Sequence, residues 1–154
     1  MEIEELLTID RIDCQCTAIS KKRSLEILSE LICKNEPQLT APEVFETFIS
    51  REKLGSTGFG QGVALPHGKS PLIQTARAAF VHLNTAVDFD AVDRKPVDLL
   101  FGLLVPEAAS QTHLDILAKL AQIFRDTPLR QQLRSARDKQ DILTILHQAW
   151  LKPL

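Results

Sequence analysis

The sequence predicts a single α/β domain, a mixed β-sheet flanked by helices on both faces, and three observations carry that prediction. The chain has 154 residues, the length of one ordinary domain. Its periodicities run in the order helices, strands, helices, which one sheet with helices on both sides accommodates. The stretch VDLLFGLLV at 97–105 is almost wholly apolar, as a strand covered on both faces must be. There is no internal repeat or low-complexity tract, so one domain over 6–150 is expected.

Each element has a local cause. Ser20 is placed to cap a helix over about 21–34, whose apolar stripe is Leu25, Leu28, Leu31 and Ile32. Asn35 and Pro37 end it. TAPE at 40–43 is a capping box with proline in the first turn. It opens a second helix to about 53, with Val44, Phe45, Phe48 and Ile49 inward. A glycine-rich loop follows, then a short strand at 63–65. Further strands are predicted at 78–83 and 97–105, with an edge strand at 87–89 and a turn at 93–96. Pro106 ends the central strand. Ser110 or a neighbour caps a helix carrying Leu114, Leu117, Leu120, Ala121 and Phe124. TP at 127–128 starts a short helix with Leu129 and Leu133, and Asp138 caps a last one with Ile142, Ile145, Leu146 and Ala149.

Composition excludes several classes of function. The chain is 44% hydrophobic and 25% charged, which rules out a disordered, collagen-like or coiled-coil protein. Its 18 Lys and Arg against 20 Asp and Glu leave no basic excess to neutralise phosphates, so nucleic acid is disfavoured as a partner. No apolar run approaches the ~18 residues of a membrane span, so no membrane insertion is expected. The start MEIEELLTID carries acids where a signal peptide needs bases, which predicts a cytoplasmic protein. Cys14, Cys16 and Cys33 are an odd number in no disulfide spacing and read as reduced thiols in or near a core. Cys14 and Cys16 offer two ligands, too few for zinc, and neither a metal nor a cofactor is expected.

Chemistry concentrates where the glycines do. Of six glycines, five fall between Gly55 and Gly68, interleaved with apolar residues as a polar linker would not be. The segment is not a Walker A loop, because five residues separate Gly62 from Gly68 and Pro71 stands where a helix should propagate. It is not a dinucleotide fingerprint either, since it follows a helix and precedes a strand. His67 closes the segment at a strand end, with Pro66 fixing the backbone before it and Gly68 removing a side chain after it. An imidazole so placed suits nucleophilic chemistry: when neutral it keeps one free lone pair, and a hydrogen bond to the other nitrogen selects which atom attacks. His113 lies in the first turn of its helix, where free N–H groups favour an anion. Arg51 ends the helix before the glycine loop, either as a bidentate phosphate ligand or as a charge complementing the helix dipole. Ser56 and Thr57 add hydroxyls and N–H groups. His82 and His147 read as structural or surface residues, and Asp88, Asp90 and Asp93 as a solvated turn. Two imidazoles, a guanidinium and a loop rich in N–H groups fit phosphoryl transfer to histidine from a phosphorylated protein.

These residues carry a resemblance. REKLGSTGFGQGVALPHGK at 51–69 resembles the signature of enzyme IIA of the bacterial phosphotransferase system, mannitol/fructose class. The likeness continues through FDAVD at 89–93, PVDLLFGLLVP at 96–106 and THL at 112–114. SKKRSLEILSEL at 20–31 is similar to the nitrogen-regulatory branch in particular. The resemblance implies a sheet sandwiched between helices, with His67 as phospho-acceptor through Nε2 and His113 and Arg51 orienting the phosphate. It implies a phosphotransferase activity whose donor is the phosphorylated HPr-like carrier of the nitrogen branch, fed from phosphoenolpyruvate. Ser56, Thr57 and Gly68 are then expected around the phosphate, and Phe59, where a smaller aliphatic residue is usual, on the docking surface. Regulatory targets in that branch include proteins governing potassium uptake and nitrogen- or stress-related transcription. Sugar-branch relatives instead pass the group to a cysteine on a permease-linked IIB domain. No such domain or membrane segment lies in these residues, so a freestanding regulator is expected. The competing readings are a binding module that has lost phosphotransfer and a metallo-hydrolase using His67 and His113, which lacks a clear ligand set.

Overall fold

The central strand of the protein is paired along both edges and packed on both faces, and every other element is placed relative to it. The structure, a computed structural model, describes residues 2–108 and 110–152, without the side chain of Ser110. In chain order the elements are α1 (Ile3–Leu6), β1 (Ile12–Cys16), α2 (Lys21–Ile32), α3 (Ala41–Glu52), β2 (Gly58–Gly60), β3 (Val63–Ala64), β4 (His67–Ser70), β5 (Arg77–Val87), β6 (Val97–Pro106), α4 (Ser110–Phe124), α5 (Thr127–Ser135) and α6 (Lys139–Leu151). The sheet is mixed and six-stranded, in the order β1-β5-β6-β3-β2. β5 runs antiparallel along one edge of β6, while β3 and then β4 run parallel along the other.

Period-2 alternation sorts the sheet into two cores. Leu99, Phe101, Leu103 and Val105 of β6 face α4, α5 and α6, and meet Phe124, Leu133 and Leu146 there. Leu100 and Leu104 face α2 and α3, and meet Leu28, Ile32 and Phe48. Gly102 lies under this second pair of helices, where a Cβ would sit 3.2 Å from Leu28 and 3.5 Å from Phe48. The fold is therefore the expected sheet with helices on both faces.

The helix signals act as read. Ser20 Oγ accepts the Arg23 N–H at 3.0 Å. Thr40 Oγ1 accepts the Glu43 N–H at 3.4 Å and donates to the Glu43 carboxylate at 2.6 Å. Asp138 accepts from Asp141 N at 2.9 Å. The cap expected at Ser110 lies outside the described residues, since neither position 109 nor the Ser110 side chain is among them.

Several local readings differ, and the short α1 at Ile3–Leu6 is one element the sequence does not announce. β1 went unpredicted, because Ile12–Cys16 carries Asp, Cys and Gln and its register with β5 shifts between Asp13 and Cys16. β2 and β4 lie in the glycine-rich segment, where strand character comes from pairing rather than from side chains. No edge strand forms at 87–89: Val87 ends β5, and Phe89 turns its fully buried ring into the core under α2 and α3. All three cysteines are free, Cys16 buried and Cys14 and Cys33 half-buried. No described helix is long and apolar enough to cross a membrane.

Candidate active site

His67 is the first residue of β4, and Leu65 and Pro66 separate that strand from β3. Its register opposite Leu103 turns its ring toward α4, because paired neighbours in a sheet share a face. The ring is half-buried. Nδ1 lies 2.7 Å from the Leu65 carbonyl oxygen. A carbonyl can only accept, so Nδ1 carries the proton and Nε2 keeps its lone pair. Burial pushes the His67 pKa below its ordinary value; the Leu65 hydrogen bond opposes this, the Arg51 charge adds to it and the Glu52 charge opposes it.

His113, in the first turn of α4, is only 7% exposed. Its ring meets His67 edge-on, with centroids 5.7 Å apart and planes at 82°. Its Nε2 is buried with no hydrogen-bond partner among the described residues. Burial depresses its pKa, and positive charge on His67 and Lys69 depresses it further. Both imidazoles are therefore held toward the neutral form.

Arg51 stands in the last turn of α3 and donates through Nη1 to Gly55 O at 2.7 Å, which ties its guanidinium to the loop. Its charge reaches His67. The two loop hydroxyls differ. Ser56 Oγ donates to Phe89 O at 2.7 Å and accepts the Gly58 N–H at 3.0 Å, so it is engaged within the fold. Thr57 is buried, and its Oγ1 has no hydrogen-bond partner among the described residues. The Thr57 N–H is taken by both carboxylate oxygens of Glu52, at 3.1 and 3.2 Å.

At Gly68 a Cβ would collide with the Thr47 methyl of α3, so the missing side chain makes room for that helix. Phe59 is half-buried against the core beneath α4, α5 and α6, leaving part of its ring outward. Gly62, with φ +78°, has a similar packing reason: a Cβ would sit 2.5 Å from Arg134 and 3.0 Å from Asp98. Arg134 pairs with Asp98 at 2.9 Å and donates to Gln61 O at 2.8 Å, pinning the loop to α5.

The remaining polar residues have structural partners. His82 lies 3.7 Å from Asp98, and His147 lies 2.7 Å from Glu4. Asp93 accepts from Gln61 N and Lys95 N, and Asp88 from Asp90 N, as a turn requires. Among the described residues no three His, Cys, Asp or Glu side chains converge as a metal site.

Comparison with known proteins identifies the family of the chain. Residues 5–149 match the family described as phosphoenolpyruvate-dependent sugar phosphotransferase system, EIIA 2. The chain is 42% identical over 146 residues to a nitrogen regulatory protein of Pseudomonas aeruginosa, covering 95% of each. It is 46% identical over 143 residues to that of Escherichia coli, covering 90% of this chain and 83% of the relative. The crystal structure of nitrogen regulatory protein IIA-Ntr from Neisseria meningitidis superposes with a TM-score of 0.89 at 42% identity, covering 94% of this chain and 98% of that one. A glycine-framed histidine on this mixed sheet and a match over nearly the whole length lead to one conclusion: the chain belongs to the EIIA 2 family of the phosphoenolpyruvate-dependent phosphotransferase system.

Proposed function

We propose that the protein is a regulatory phosphocarrier of the nitrogen branch, a phosphotransferase whose acceptor is His67. The donor is a phosphorylated HPr-like carrier in the cytoplasm. The Nε2 lone pair of His67 attacks phosphorus in line as the carrier's P–N bond breaks and its electron pair returns to the carrier imidazole. The Nδ1 proton stays on the ring, against Leu65 O. Arg51, His113 and the Thr57 hydroxyl hold the equatorial oxygens, while Ser56 and Gly68 shape the loop and strand around them. Part of the Phe59 ring meets the docking partner. Charge is the output: the new group adds about −1.5 to −2 beside His67 and changes which partner the surface prefers. Those partners are regulatory targets, such as proteins of potassium uptake or sensor proteins, and the reaction needs no metal or cofactor.

One observation carries this reading, the 2.7 Å contact between Nδ1 and Leu65 O that leaves Nε2 free beside a second neutral imidazole. Incubation with phosphoenolpyruvate and the upstream carriers tests it. The expected product is an acid-labile, base-stable adduct on His67, absent from His67→Ala. Full labelling of His67→Ala would overturn the assignment.

A further inference from the structure

Glu52 sits in the last turn of α3, where the helix dipole disfavours a negative charge. It is nevertheless 8% exposed, and a carboxylate so buried needs strong partners. It has two. The Thr57 N–H donates to both of its oxygens, and the Lys21 ammonium at the start of α2 lies 3.1 Å from Oε1. Lys21 is itself held, donating to Phe89 O at 3.3 Å with its ammonium 4.7 Å from the centre of the Phe89 ring. The same carbonyl receives the Ser56 hydroxyl, so the pair anchors two successive loop residues.

From Thr57 the hydrogen bonding continues to the acceptor. Thr57 O accepts the Leu65 N–H at 3.1 Å. Leu65 O accepts the His67 Nδ1–H at 2.7 Å. Glu52, Thr57, Leu65 and His67 therefore form one line, and its last link decides which imidazole nitrogen is free.

We propose that Glu52, seated by Lys21, is a positioning residue for phosphoryl transfer: by anchoring Thr57 it fixes the Leu65 carbonyl that orients the His67 ring and leaves Nε2 as the nucleophile. This rests on reading His67 as the acceptor. Charge matters as well as geometry. A neutral acceptor would satisfy the Thr57 N–H but leave Lys21 with only the exposed Asp90 carboxylate at 3.8 Å, and would remove the negative charge that opposes Arg51 at His67.

The test compares Glu52→Gln, Lys21→Arg and wild type by two readouts. One is the rate of phosphoryl acceptance from the phosphorylated carrier. The other is ring-nitrogen NMR of His67 in the unphosphorylated protein, which reports tautomer and titration midpoint. Folded Glu52→Gln is expected to lose the single Nδ1–H tautomer, titrate at lower pH and accept phosphate about 10- to 100-fold more slowly. Lys21→Arg is expected to keep the wild-type rate and tautomer. A folded Glu52→Gln protein with wild-type tautomer, midpoint and rate would overturn the proposal. If that variant does not fold, Lys21→Met carries the test: a mixed tautomer supports the proposal and an unchanged one overturns it. Absence of phosphate from His67 in wild type would refute the acceptor assignment, while the NMR readouts still judge the anchoring.

Discussion

A histidine that must attack phosphorus works only while neutral, and burial supplies that condition at both imidazoles of the site. Each has an ordinary pKa of 6.5, and each is lowered in the folded protein, first by desolvation. The decline of transfer to His67 on acidification is therefore expected to have its midpoint below about pH 6.5. Initial rates at saturating donor would show this, and a decline centred above that pH would contradict it. Stability follows with a definite sign. Between the folded and unfolded pKa values the unfolded chain binds more protons, so acidification destabilises the fold in that window. Above about pH 8 these two groups contribute almost no slope. Urea midpoints at several pH values measure it. His113→Ala removes the group proposed to face the phosphoryl oxygens and not the proposed acceptor. It is expected to slow transfer by about 100-fold while His67 still becomes labelled, and an unchanged rate would exclude His113 from the step.

The β4 strand shows what an element demands of its residues. α3 lies so close across it that Gly68 has no room for a methyl group beside Thr47. Gly68→Ala is expected to cost about 1–3 kcal/mol by overpacking, read from denaturant unfolding. Adding Thr47→Ser removes the obstructing methyl and is expected to recover most of the loss; no recovery would place the strain elsewhere. Gly68 was legible as special from its neighbours, but its reason was not, because Thr47 lies far away in sequence. The same limit hid β1, β2 and β4. Their few residues become strands by pairing with β5, β3 and β6, and carry little apolar alternation of their own. By contrast, the helix predicted over 21–34 is α2 at Lys21–Ile32, and the strand predicted over 97–105 is β6 at Val97–Pro106. Caps and burial on two faces write themselves locally.

The whole molecule is a rigid sheet with one charged event proposed at its edge. The formal net charge is −2, and phosphorylation brings it near −4 by adding about −1.5 to −2 at His67. Two separate cores hold the sheet from both faces, and the site lies on neither core's interior. The proposed change is expected to be transmitted without refolding. Amide spectra of the phosphorylated protein are expected to shift in the glycine loop, the end of α3, β4 and the start of α4, with the two cores unmoved. Shifts spread through α2, α6 and β5 would instead mean that the signal travels by conformational change.

The order of the longer helices and strands, the helix caps, the doubly covered strand and the identity of His67, His113 and Arg51 as candidates were all determined by the chain itself. They depend on periodicity, on turn chemistry and on a motif contained in a few consecutive residues. Only the tertiary structure decided that His113 meets His67 edge-on, that Ser56 is engaged while the Thr57 hydroxyl is not, and that Glu52 is buried beneath the loop. Those facts depend on which distant segments pack together, and burial, desolvation and hydrogen-bond pairing exist only once they do.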